Sequence, residues 1–296
     1  MSETGGDHDA ETDTDADADG PDSEYDLDSG PDPATVAASR PEPIDPADPV
    51  YAVGIGPGNL DYLTPRGERA IREADVVVGF ETVVEFVADL TDADLLTCGY
   101  RDERETLERF AERAAAGERA TAVLMGDPNH SGYQFVGKVQ DAVERRTVEA
   151  ESASRFRGRD ETGTSGRPVR VIPGISSLQM AASRARTPME DARFVTLHKS
   201  GDVTEDLARL VEAVGERHLL VLPRPFDWMP GDVADHLLEA GASADLEALV
   251  LERLTHENET ITRTSLGELA AHSGGSDRES SPFSDLSVLV VRVGVE

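Results

Sequence analysis

YAVGIGPGNLDYLTPRGERAI, residues 51–71, governs how the rest of the chain is read. An apolar, strand-like run from Tyr51 to Ile55 leads through Gly54, Gly56 and Gly58, and a helical pattern starts near Pro65. A dinucleotide-binding turn has the order G-x-G-x-x-G and opens directly into a helix whose N-terminus meets the pyrophosphate. Here the order is G-I-G-P-G-N. The third glycine comes one residue early, Pro57 removes a backbone donor, and Leu63-Thr64-Pro65 delays the helix. Thr64 reads as an N-cap with Pro65 at the first helical position. Glu81 follows the second strand about where a ribose-binding acid would fall, so an NAD-dependent oxidoreductase stands as a different-class alternative. Whatever they bind, these glycines lie at the carboxyl end of a first strand, where open α/β sheets take small molecules.

Outward from this stretch, strands alternate with amphipathic helices. Buried-strand runs are expected at Val50–Ile55, Asp75–Val78, Leu95–Thr97, Ala120–Met125 and Val169–Ile172, with helices such as Arg66–Glu73 and Leu107–Ala116 between them. This is a mainly parallel α/β domain. A second set is expected at Arg193–His198, His218–Leu222, Leu246–Leu251, Thr260–Thr264 and Leu286–Val293. Its last two strands are read as an antiparallel pair, making that sheet mixed. The expected organisation is an acidic disordered tail over 1–48, an N-terminal α/β domain over 49–190 and a C-terminal α/β domain over 191–296, joined near Thr187-Pro188. Ser152–Arg167 and Ser273–Pro282 read as surface loops.

Composition narrows the function. The net charge is -31, and Lys138 and Lys199 are the only lysines among 28 basic residues. Residues 1–48 hold 16 acidic side chains against Arg40 alone, and the remainder, with 43 acidic and 27 basic residues, is acidic too. Such a surface disfavours nucleic-acid binding. It is the composition expected of a halophilic protein, because at 1 M salt a Debye length of about 3 Å removes the self-repulsion. Cys98 is the single cysteine and the seven histidines show no i,i+4 pairing, so no protein-bound metal is expected. No apolar run approaches the roughly 20 residues of a membrane span. The polar N-terminus lacks the pattern of a signal peptide, and a cytoplasmic location is expected.

Two further loops sit at strand ends. After the fourth strand comes Met125-Gly126-Asp127-Pro128-Asn129-His130, where Gly126 permits close approach and Asp127 either accepts from a ligand or makes a plain Asp-Pro turn. After the fifth comes Pro173-Gly174-Ile175-Ser176-Ser177, whose serines either cap a helix or present hydroxyls to a ligand. Three such loops at neighbouring strand ends make one crevice.

These motifs, GIGPGNLDYLT, MGDPNHSG and VIPGISSLQMAASRARTPMEDARFVTLH, resemble those of the tetrapyrrole methylase family, which uses S-adenosylmethionine. The stretch from Val171 to His198, with ALVLERLTHENETITRTSLGELA and FSDLSVLVVRV later, is most similar to the cobalt-precorrin-7 carbon-5 methyltransferases of cobalamin synthesis. The resemblance implies two α/β domains with the cofactor in the cleft between them, and usually a homodimer. It places cofactor contacts on Pro57, Met125, Gly126, Asp127, His130, Ser176 and Ser177, with Pro223 and Leu254 closing over the adenine from the second domain. Asn129-His130-Ser131 and Pro223-Arg224 depart from that subfamily's pattern. Another corrinoid carbon, or a non-tetrapyrrole acceptor, is the alternative within the class. Carbon-15 methylation and decarboxylation are expected on a separate protein.

A sulfonium methyl is already electrophilic, so the protein's task is alignment with the nucleophilic carbon. If a proton must leave, His130 and His198 qualify as bases by pKa class alone, although histidines so placed are more often structural turn or strand-end residues than bases. A substrate rich in carboxylates needs a local basic rim, for which Arg101, Arg104, Arg184, Arg186, Lys199 and Arg224 are the candidates.

Overall fold

The computed structural model describes residues 33–38, 48–99, 101–156, 167–225, 227–274 and 281–294. In chain order its first part comprises α1 (Pro33–Ala38), β1 (Val50–Gly54), α2 (Pro65–Arg72), β2 (Val76–Phe80), α3 (Glu81–Val87), β3 (Asp94–Cys98), α4 (Glu103–Ala115), β4 (Ala120–Leu124), α5 (Tyr133–Phe156) and β5 (Val169–Ile172). The second comprises α6 (Ser177–Arg184), β6 (Ala192–Thr196), α7 (Thr204–Ala213), β7 (His218–Leu222), α8 (Pro230–Glu239), β8 (Glu247–Glu252), β9 (Thr260–Ser265), α9 (Leu266–Ala270) and β10 (Ser287–Arg292). Each of the ten strands expected from apolar patterning is present to within two residues.

The first sheet is wholly parallel, in the order β3-β2-β4-β1-β5. Period-two alternation divides its side chains between two faces. Val50, Ala52, Val76, Val78, Ala120 and Ala122 pack under α4 and α5, while Val53, Val77 and Val123 pack under α2 and α3. Helices therefore cover both faces, as a parallel sheet requires. Strand order reverses between β4 and β1, which opens the sheet's crevice there.

The second sheet is mixed, in the order β6-β7-β10-β8-β9. One expectation fails here: β9 and β10 do not pair. β10 inserts between β7 and β8, antiparallel to both, and β9 pairs with β8 on the edge. The reason is burial. SVLVVR in β10 is apolar on both faces and suits a central strand, whereas TITRTS in β9 is largely exposed. One face carries α7, α8 and α9 over Leu219, Val221, Val250 and Leu289. The other receives α6, whose Leu178, Met180, Ala181 and Ala182 pack on Leu220, Leu249, Leu251, Val288 and Val290. Thus α6, launched from the end of β5, joins the two sheets through a shared core.

Two other expectations are corrected. Within the segment read as a disordered tail, Pro33–Ala38 is helical and lies against α5, with the Pro33 carbonyl where any side chain on Gly137 would collide. Residues 1–32 and 39–47 lie outside the described residues. The loop expected from Ser152 begins later, because α5 continues to Phe156; residues 157–166 and 275–280 lie outside the described residues. Among the described residues, no helix is long and apolar enough to cross a membrane.

Candidate active site

The three glycine loops converge at the carboxyl ends of β1, β4 and β5. Gly56 N donates to Gly126 O at 3.3 Å and Gly126 N returns a bond to Gly56 O at 2.7 Å, so the first two loops are cross-linked through backbone. Gly54 permits this: a Cβ there would lie 2.5 Å from Gly126 O and 2.7 Å from Gly174 N. The first loop then bends away from the sheet. Asn59 caps the short turn Leu60–Tyr62, and Thr64, accepting from Gly67 N at 3.1 Å, caps α2 with Pro65 behind it. The delayed helix start, read from sequence, follows from these two successive caps.

The turn between β8 and β9 presses onto this loop from the other sheet. Thr255 Oγ1 donates to Pro57 O at 3.4 Å, and Asn59 Nδ2 donates to Thr255 O at 3.4 Å. The His256 ring lies over Gly58, where a Cβ would come within 2.2 Å of Nε2, and Gly58 itself has φ 116°. Thr255 holds φ 72°, a costly conformation for a β-branched residue. Glu259 restrains it by accepting from Thr255 N at 2.8 Å while receiving Arg184 Nε at 2.7 Å.

On the opposite side, Asp127 accepts from Asn129 N and Nδ2, both at 2.7 Å, and caps a π-helical turn over Pro128–Gly132. Such turns re-aim side chains. This one sends the His130 ring to Phe194 on β6, 6.0 Å between centroids, and the following Gln134 Nε2 reaches Ser200 O at 3.5 Å. Phe194 shares a face of β6 with Thr196, opposite the core-facing Val195 and Leu197. Two buried polar atoms in this region, His130 Nδ1 and Thr196 Oγ1, have no hydrogen-bond partner. Unpaired buried polar atoms are uncommon and suit a ligand that supplies their partners.

His198 lies two residues beyond Thr196, in the turn that follows β6. Leu197 N still bonds Leu222 O at 2.8 Å, and Lys199 N bonds Leu197 O at 2.8 Å, so His198 is the apex of a tight turn. The residue is solvent-accessible yet crowded by neighbouring atoms, and its Nδ1 lies 3.3 Å from Pro223 O. Desolvation lowers its pKa, partly offset by the Pro223 carbonyl and the charge of Asp285. Cys98, by contrast, is buried beside Glu103 and Asp102 and its thiol is pushed up to about 12, chiefly by burial, which makes it inert.

The other residues singled out in sequence divide. Pro57 is buried with its carbonyl engaged, Met125 is half-buried against the core under α2 and α3, and Pro223 is buried at the end of β7. Ser176 is the N-cap of α6 in a reciprocal capping box with Gln179, and Ser177 opens the helix. Leu254 packs in the core beneath α6. The basic positions do not form one rim. Arg104 pairs with Glu108, Arg184 with Glu259, Lys199 with Asp206 at 2.5 Å, and Arg224 with Asp227. Arg101 and Arg104 follow edge strand β3, which β2 and β4 separate from β1 by about 14 Å of sheet. Arg186 is exposed at φ 51°, just beyond α6.

The model of the Tetrapyrrole (Corrin/Porphyrin) Methylases matches residues 49–270, which takes in the first sheet, all strands of the second but β10, and every loop of the crevice. The chain belongs to the tetrapyrrole methylase family. It is therefore an S-adenosylmethionine-dependent methyltransferase. The probable cobalt-precorrin-7 C(5)-methyltransferase of Methanocaldococcus jannaschii is 27% identical over 221 residues, 75% of this chain and 91% of that protein. Among solved structures, the methyltransferase CobJ superposes with TM-score 0.59 at 22% identity, over 84% of this chain and 95% of CobJ. The uroporphyrin-III C-methyl transferase of Thermus thermophilus, complexed with S-adenosylhomocysteine, superposes with TM-score 0.56 at 21% identity, over 82% of this chain and 92% of that one. At these identities the two superpositions establish the shared two-sheet methylase fold.

Four residues of the site escaped the sequence reading: Phe194, Thr196, Thr255 and His256. For the first two a signal existed, since Phe194 and Thr196 alternate along β6 and so share a face. Thr255 and His256 had none, because their importance comes from a turn that meets the first loop across 198 residues of chain.

Proposed function

We propose that this tetrapyrrole methylase methylates carbon 5 of a cobalt-precorrin or precorrin intermediate in cobalamin biosynthesis. The observation that supports this reading best is the likeness to the Methanocaldococcus jannaschii protein, which runs over 91% of that protein's length. S-adenosylmethionine supplies an electrophilic methyl, and the chain supplies position. The Gly126-Asp127 loop, cross-linked to Gly56, gives a rigid floor, and His130 Nδ1 and Thr196 Oγ1 offer polar groups to what lies between the sheets. Pro223 forms part of the second wall. The active form is a homodimer, and the acidic surface suits work in concentrated salt.

The test is incubation with methyl-labelled S-adenosylmethionine and a precorrin pool, followed by mass spectrometry and carbon NMR of the product. Label on carbon 5 is the expected result. Label on another ring carbon would move the enzyme within its family. Binding of NAD but not S-adenosylhomocysteine in calorimetry would overturn the cofactor assignment.

A further inference from the structure

Replacing hydrogen by methyl on an unsaturated ring carbon leaves one proton to be removed. The new C–C bond uses an electron pair from the ring, the sulfur keeps the pair of the S–C bond, and the C–H pair returns to the ring as its proton departs. The alignment residues of the glycine loops are already engaged in holding the loops together. Pro57 and Gly56 contribute engaged backbone, Asp127 holds Asn129, and Ser176 is committed to its capping box.

We propose that His198 takes this proton on Nε2. This deepens the function proposed above and rests on it. A carbonyl can only accept, so the Pro223 O contact at 3.3 Å requires the proton of a neutral ring to sit on Nδ1 and leaves the lone pair on Nε2. The turn closed by Lys199 N and Leu197 O fixes the backbone that carries the ring, and the Pro223 O contact orients the ring itself. His198 sits in the turn that directly follows β6, the strand whose Phe194 meets His130 from the first sheet. Crowding keeps the ring neutral and therefore able to accept, and Asp285 and the Pro223 carbonyl favour the imidazolium once it forms.

The charged groups around it fit this role. From the segment before β10 comes Asp285, an anion. From the turn after β6 comes Lys199, bound to Asp206 of α7, and from the turn after β7 comes Arg224, bound to Asp227 and to the carbonyl of Gly201 at 2.9 Å. Both cations are thus balanced by carboxylates. His130 faces the region from the first sheet, but its Nδ1 has no partner to fix a tautomer.

Two measurements test the assignment. Long-range proton–nitrogen spectra of the ligand-free chain, with His198 identified by its loss in His198→Gln, should show the Nδ1–H tautomer at neutral pH; the Nε2–H tautomer would overturn the proposal. In turnover, His198→Gln should lose roughly 10²- to 10⁴-fold in rate and the acid limb of the pH profile, with S-adenosylhomocysteine affinity unchanged. Wild-type-like turnover with the acid limb intact sinks the base and leaves the function standing. If the unaltered chain binds S-adenosylhomocysteine but methylates no precorrin, the substrate reading fails and the base falls with it.

Discussion

Arg184 donates from Nε to Glu259 Oε1 at 2.7 Å, tying the last turn of α6 to the turn that rests on the first glycine loop. The Arg184 hydrogen bond, with that from Thr255 N, holds the Glu259 carboxyl below its ordinary 4.5. A lowered folded pKa contributes stability that is complete above the unfolded value and lost as pH falls through the folded one. The pair is partly exposed, so about 0.5–1 kcal/mol is at stake. Urea unfolding of Glu259→Gln should show this deficit at pH 6 and none once the pH drops below the lowered value. A deficit that persists in acid would assign the loss to packing instead.

Gly58→Ala should cost about 1–3 kcal/mol, because φ 116° strains any side chain and the new Cβ meets His256 Nε2 at 2.2 Å. His256→Ala in the same chain should recover the clash but not the strain. Full recovery in the double variant would show that backbone conformation at Gly58 is unimportant.

Lys138 Nζ lies 2.6 Å from Glu103 Oε2, and the two side chains are only 13% and 4% exposed. Removing one partner strands a buried charge. Lys138→Met should therefore lose about 3–5 kcal/mol, and adding Glu103→Leu should restore most of it. Equal stability of the two variants in chemical denaturation would contradict the account.

With a net charge of -31, the thermal midpoint should climb by several degrees between 0.1 M and 2 M potassium chloride, as screening contracts from about 10 Å to a few ångströms. Calorimetric scans at constant pH check this. A midpoint that falls across the series would remove the halophilic reading.

What could be read before any coordinates were local. Apolar period two, Pro65 behind Thr64, and the Asp-Pro and Pro-Gly turns set ten strands, a capped helix and three loops at strand ends, because each depends on residues a few positions apart. Those loops had to share one edge once the first sheet was parallel. The remaining features concern which surfaces meet. β10 lies in the centre of its sheet because, unlike β9, it is apolar on both faces, a choice settled only in competition with β9. Arg184, Lys199 and Arg224 found carboxylates in an acid-rich protein, so the basic residues in sequence did not become one rim in space. The early third glycine, anomalous as a phosphate cradle, is accounted for by a histidine from the other sheet lying across it. The orientation of His198 likewise depends on a carbonyl 25 residues away, which no local pattern encodes.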